Sequence, residues 1–126
     1  MQEIKLYKRI KVLDCKGKGR GVFALQDIKR SEIIEMAPII ILEECNVNGL
    51  LTNYTFQSED KTKCVLVLGY VSLINHSYKP NAYHNIDYDK KVMIIKAKRK
   101  ISHNTEITIN YNGHNSKEKV WFDVKN

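Results

Sequence analysis

The chain has 126 residues, 43% of them apolar and 28% charged, and its 21 Lys and Arg against 14 Asp and Glu leave a net charge of +7. A chain of this size and mix buries a core of its own, so one folded domain over residues 1–126 is expected, without metal or disulfide staples. The longest apolar run, Ala37 to Leu42, is far too short for a bilayer span, and the opening MQEIKLYKRI lacks the apolar centre of a signal peptide; neither membrane insertion nor export is expected.

In chain order, EIKLYKRIKVLD (Glu3 to Asp14) alternates in part, with Ile4 and Leu6 and then Ile10 and Val12 at period two, and predicts a strand. GKGRG forms a glycine-rich turn into a second strand, GVFAL. EIIEMAPIIIL (Glu32 to Leu42) predicts one or two buried strands broken at Pro38, because proline removes a ladder donor. NVNGLLTNYTF (Asn46 to Phe56) could hold a short helix. KCVLVLGY (Lys63 to Tyr70) is β-like, and LINHSYKPNAYH (Leu73 to His84) gathers an unusual number of hydrogen-bonding groups. NAYHNIDY and KVMIIKAK read as a hairpin turning at DYDKK, TEITINY (Thr105 to Tyr111) as a last strand, and SKEKVWFDV (Ser116 to Val124) as a second possible short helix. Cys15, Cys45 and Cys64 lack zinc-like spacing; they read as reduced structural thiols, and no metal is expected.

Four features stand in order: GKGRGVFAL, the aromatics of NYTF, INHSYKPN and EITINYN. Singly, each has an ordinary explanation in turns, caps and packing. Together they resemble the SET domain of protein-lysine methyltransferases from about Gly17 to Asn112, and the Asn-His-Ser-x-x-Pro-Asn core is the most specific part. The resemblance implies a mainly β fold of several short sheets, few short helices and a pseudoknot-like C-terminal crossing. It implies methyl transfer from S-adenosylmethionine to a protein lysine, cofactor and peptide entering from opposite faces. Lys18, Gly19, Arg20 and Gly21 match the glycine motif at the cofactor, Asn75 and His76 the cofactor-binding pair, and Tyr111 the catalytic tyrosine. Tyr54, Phe56 and Ile109 fall where a lysine channel is walled, and residues 113–126 become a covering segment in which Trp121 and Phe122 either close the cofactor or channel side or dock as an ordinary apolar tail.

Residue chemistry is compatible with that implication. Glycines let a backbone approach a ligand closely, and Asn75 offers donors and an acceptor for an adenine edge or an amino group. His76 either contacts cofactor or, as a neutral imidazole, braces two segments; Pro80 stiffens the loop exit and Asn81 braces it. A sulfonium is already a strong electrophile, so the site has to deliver an uncharged amine in line with the methyl, and a lysine of pKa about 10.4 makes activity rise toward alkaline pH.

The match has departures. Ser72 and Leu73 stand where many SET enzymes carry Arg-Phe, and no cysteine-rich C-terminal module is present. A histone or histone-like lysine is the expected substrate, with a lysine of another protein close behind, and the six basic residues of Lys90 to Lys100 are either a solvated strand edge or a further contact to nucleosomal DNA. Similarity to compact viral and bacterial SET proteins makes a homodimer plausible. The location expected is intracellular, in cytoplasm or nucleus, the host's nucleus for a viral or bacterial protein. Two other readings stay open: a catalytically inactive SET-like protein- or chromatin-binding module, and a small basic β-barrel that binds nucleic acid.

Overall fold

A computed structural model of the protein describes residues 3–17, 19–43, 49, 54–58 and 62–113. The fold is mainly β, with nine strands in two sheets among the described residues. These are β1 (Ile10–Cys15), β2 (Gly19–Ala24), β3 (Ile33–Leu42), β4 (Thr55–Gln57), β5 (Cys64–Val67), β6 (Asn75–His76), β7 (Ala82–Asp87), β8 (Val92–Ala97) and β9 (Glu106–Ile109). A four-stranded sheet runs β1-β2-β9-β6 and a five-stranded one β4-β5-β3-β8-β7. All pairings are antiparallel except β6 with β9, where Asn75 pairs with Thr108 and His76 with Ile109.

Alternation of apolar and polar residues explains the core. Val22 and Ala24 of β2, Met93 and Ile95 of β8, and Ile107 and Ile109 of β9 project inward and are fully buried. The β7–β8 hairpin forms as expected, its turn closing with Lys91 at φ 55°.

Four expectations need correction. The first strand begins only at Ile10, and residues 3–9 lie outside regular structure. That segment is held by single tethers, Leu25 N–H donating to Arg9 O at 2.8 Å and the Arg9 guanidinium to Ile33 O. Second, β3 runs unbroken through Pro38. It pairs with β8 up to Pro38 and with β5 from Ile39 onward, and Pro38 O accepts from Leu68, just past the end of β5. The missing proline N–H therefore falls where the β5 ladder has run out. Third, Cys64 is in a disulfide, whereas Cys15 stays a thiol; which thiols meet depends on spatial approach, which sequence separation does not report.

The stretch read as a strand up to Tyr70 instead turns at Gly69 into a 3-10 helix, Tyr70–Leu73. A buried carboxylate organises that turn: Glu35 Oε1 on β3 accepts from Val71 N–H at 2.9 Å. Burial pushes the Glu35 pKa up, while hydrogen bonds from the Val71 and Tyr70 backbones oppose the rise. Ser72 donates its hydroxyl to Val67 O at 2.8 Å. The helices considered for Asn46–Phe56 and Ser116–Val124 lie largely or wholly outside the described residues.

Candidate active site

The polar loop docks along β9. After the β6 pairing, Ser77 N–H donates to Ile109 O at 2.9 Å, and the Asn81 side chain spans two β9 backbone groups. Its Nδ2 donates to Glu106 O at 2.8 Å and its Oδ1 accepts from Thr108 N–H at 2.9 Å. Asn81 thus behaves like one more rung of the ladder, and a buried amide in that position loses none of its hydrogen bonding. This is the brace that the sequence led us to expect.

The chain leaves β9 in a turn, with Gly113 N–H donating to Asn110 O at 3.0 Å, which folds Tyr111 back over the loop. Tyr111 N–H donates to His76 Nδ1 at 3.0 Å, and the Tyr111 hydroxyl donates to Ile74 O at 2.5 Å. An Nδ1 that accepts makes His76 the neutral tautomer with its proton on Nε2, and burial lowers its pKa further. His76 therefore does brace two segments. Tyr111 is pushed up to about 12, chiefly by burial and then by the negative charge of Glu106 and by Tyr54. At neutral pH it is an uncharged phenol, able to orient a partner and unsuited to removing its proton.

Aromatic rings line the approach to that phenol. Phe56, buried on β4, meets the Tyr111 ring edge-on at 5.9 Å between centroids, and His76 lies 5.2 Å from it. Tyr54 precedes β4 and is 38% exposed. The seam between the two sheets thus joins Phe56 of the five-stranded sheet to Tyr111 and His76 beside the four-stranded one. Ile109 is fully buried in the core beneath this seam.

A second group forms around the glycine turn. Asn75 Nδ2 donates to Arg20 O at 3.1 Å and to Glu106 Oε2 at 2.8 Å, and Cys15 Sγ lies 3.9 Å from the same carboxylate oxygen. A Cβ at Gly21 would lie 2.5 Å from Cys15 Sγ, 2.8 Å from Glu106 Oε2 and 3.2 Å from Asn75 Nδ2. Gly19 has φ +77° and open space on the side a Cβ would take. Gly21 is a glycine because neighbouring side chains converge on it, and Gly19 because of its backbone angle alone.

Lys18 and Trp121 lie outside the described residues. Sequence reasoning did not single out Glu106, Ile74 or Cys15 as parts of the site. Glu106 had a signal, a carboxylate five residues before the tyrosine in the last motif, but its link to Asn75 exists only once β6 pairs with β9.

Comparison with known proteins agrees with this geometry. The SET domain family matches residues 19–112. A Schizosaccharomyces pombe histone-lysine N-methyltransferase, H3 lysine-37 specific, is 34% identical over 120 residues, which cover 90% of this chain and 77% of that protein. A Saccharomyces cerevisiae histone-lysine N-methyltransferase, H3 lysine-36 specific, is 32% identical over 86% of this chain, but the match spans only 16% of its length. A crystal structure of a Plasmodium falciparum protein proposed to be a histone methyltransferase superposes with a TM-score of 0.72 at 35% identity, covering 84% of this chain and 95% of that one.

Proposed function

The chain belongs to the SET-domain family of protein-lysine methyltransferases, and from that premise we propose that it moves the methyl group of S-adenosylmethionine onto the ε-amine of a histone lysine. The single observation that best supports this reading is the meeting of Tyr111, His76 and Phe56 at one seam, with Asn75 and the glycine turn tied to the same strand through Glu106.

The donor set fits the cofactor. Asn75 spends both amide hydrogens on Arg20 O and Glu106, so Oδ1 is what it has left to offer, and an acceptor suits the cofactor's ammonium group. Gly19 leaves an open face for a ligand, and the Glu106 carboxylate adds negative charge suited to a cationic guest. When bound, S-adenosylmethionine would supply a methyl carbon on sulfonium that an uncharged amine attacks, the carbon–sulfur bond breaking and the sulfur leaving as a neutral thioether. Toward that reaction, Phe56 and Tyr54 contribute apolar walls that disfavour ammonium over amine, and the Tyr111 phenol holds the amine's orientation. The amine releases its proton to water, since Tyr111 is held protonated and His76 Nδ1 is already occupied by a backbone N–H.

A histone as the substrate is supported by the names of the relatives, and that substrate would put the protein in a nucleus. The net charge of +7 supports contact with nucleosomal DNA as well. A homodimer is supported by apolar side chains on the outer face of the five-stranded sheet, where Ile40 is 45% and Leu68 48% exposed. Light scattering decides that point.

Calorimetric titration with S-adenosylmethionine, paired with methyl transfer to histone octamers, tests the main reading. Asn75→Ala should weaken cofactor binding about ten- to a hundredfold, the worth of a hydrogen bond to a charged group. Tyr111→Phe should keep that binding and lose about a hundredfold in transfer. A wild-type protein that binds cofactor but methylates no histone or other protein would overturn the reading in favour of a non-catalytic binding module.

A further inference from the structure

The basic run from Lys90 to Lys100 is not one patch. Lys90 and Lys91 occupy the tip of the β7–β8 hairpin, whereas Lys98, Arg99 and Lys100 leave β8 at its other end. The six residues of β8 separate the two groups by about 20 Å.

At that far end a second segment is clamped alongside. Ile28 and Ile101 exchange two backbone hydrogen bonds of 2.8 Å, Ser31 N–H donates to Ala97 O at 2.9 Å, and Ala97 N–H donates to Glu32 O at 3.0 Å. These bonds set Lys29 and Arg30 beside Lys98, Arg99 and Lys100, five cations from two stretches of chain almost seventy residues apart. Lys29, Arg30, Arg99 and Lys100 are exposed. The nearby carboxylates are already engaged. Glu32 forms an ion pair with Arg9 at 3.1 Å and accepts from Lys29 N–H, and Asp27 accepts from His103 N–H at 2.8 Å.

We infer that this edge, with Lys29, Arg30, Arg99 and Lys100 exposed and Lys98 partly buried, is a docking surface for the phosphate backbone of duplex DNA. Clustered, solvent-facing Lys and Arg on a rigid backbone neutralise phosphates without reading sequence. Neither 28–33 nor 97–104 contains Phe, Tyr or Trp, so the edge lacks the large aromatic platform that stacks single-stranded bases, and a duplex is the form it fits. Its use rests on the reading of the substrate as a histone: histones lie wrapped in DNA, and an enzyme fastened to that DNA meets its lysine at a raised local concentration.

Two double variants with equal loss of charge test the site. Arg99→Ser with Lys100→Ser strips the edge, and Lys90→Ser with Lys91→Ser strips the hairpin tip. Binding of a short fluorescent duplex is followed by anisotropy from about 50 to 200 mM salt. The edge variant should flatten the slope of log affinity against log salt by about two, the tip variant leaving it unchanged. Equal flattening by both would reduce the effect to overall charge and overturn the inference, as would wild-type protein that fails to bind duplex. Displacement of the duplex by polyglutamate at matched charge, as efficient as by unlabelled DNA, would assign the edge to acidic protein and overturn it too. On substrates, the edge variant should lose about tenfold on nucleosomes and keep its rate on free histones. Absence of methyl transfer to any substrate would count against the enzyme reading, and the duplex slopes would still decide the DNA surface.

Discussion

A side chain at position 21 has nowhere to go, because its Cβ would overlap Cys15 Sγ at 2.5 Å and the Glu106 carboxylate at 2.8 Å. Gly21→Ala should therefore push apart Cys15, Glu106 and Asn75, costing about 1–3 kcal/mol of stability and loosening the grip on cofactor. Gly19→Ala meets no neighbour and is opposed only by a left-handed backbone angle, a cost of about 1–2 kcal/mol. Urea unfolding beside cofactor titration separates them: the first should lose more affinity than its stability loss explains. The need for glycine at both positions was legible in GKGRG. The reason at position 21 was not, because it lies in side chains from β1, β6 and β9 that only the folded sheet assembles.

At the scale of elements, the Glu35 carboxylate ties the 3-10 helix to β3, and that helix ends at Ile74, whose carbonyl receives the Tyr111 hydroxyl. Glu35→Ala leaves the Val71 and Tyr70 amides without their acceptor inside the fold, and should cost about 1–3 kcal/mol. Glu35→Gln keeps an acceptor and discards a buried charge, so most of that stability should return. Thermal denaturation of the two variants checks the order; a glutamine as damaging as alanine would show that the charge, not the acceptor, matters. Strand pattern was the most readable layer of this fold: the β7–β8 hairpin, β2 and β9 fall where alternation puts them. Pro38 misled because its effect depends on which neighbour lies on its donor side. The 3-10 helix was hidden because Glu35, distant in sequence, supplies the acceptor that stabilises its start.

For the whole molecule, His76, His84 and Tyr111 bound the pH range of stability, while Glu35, raised from 4.5 by burial, makes its contribution below 4.5 and loses it as pH rises through its folded value. His76 and His84 are held below 6.5 by burial, so their contribution is present above that value and lost as pH falls through their folded values. Tyr111 is raised from 10.0 to about 12, so its contribution is present below 10 and lost as pH rises through 12. Melting temperature should form a plateau bounded by these limits. Tyr111→Phe should flatten the alkaline shoulder, by about 3 kcal/mol at its largest, and methyl transfer should climb with pH inside the plateau as the substrate lysine loses its proton. A melting curve that begins to fall well below pH 10 would place some other group in control. The parallel pairing of β6 with β9 has a further consequence for how the protein comes into being. A nascent chain extended only to the Tyr88–Lys91 turn already carries the glycine turn and the Asn-His pair, yet it lacks the strand that receives them and the phenol that closes over them. Such a half-made chain has no partial version of the site. The bracket between His76 and Tyr111 can therefore close only after β9 and Tyr111 have been synthesised, so no partial chain assembles it.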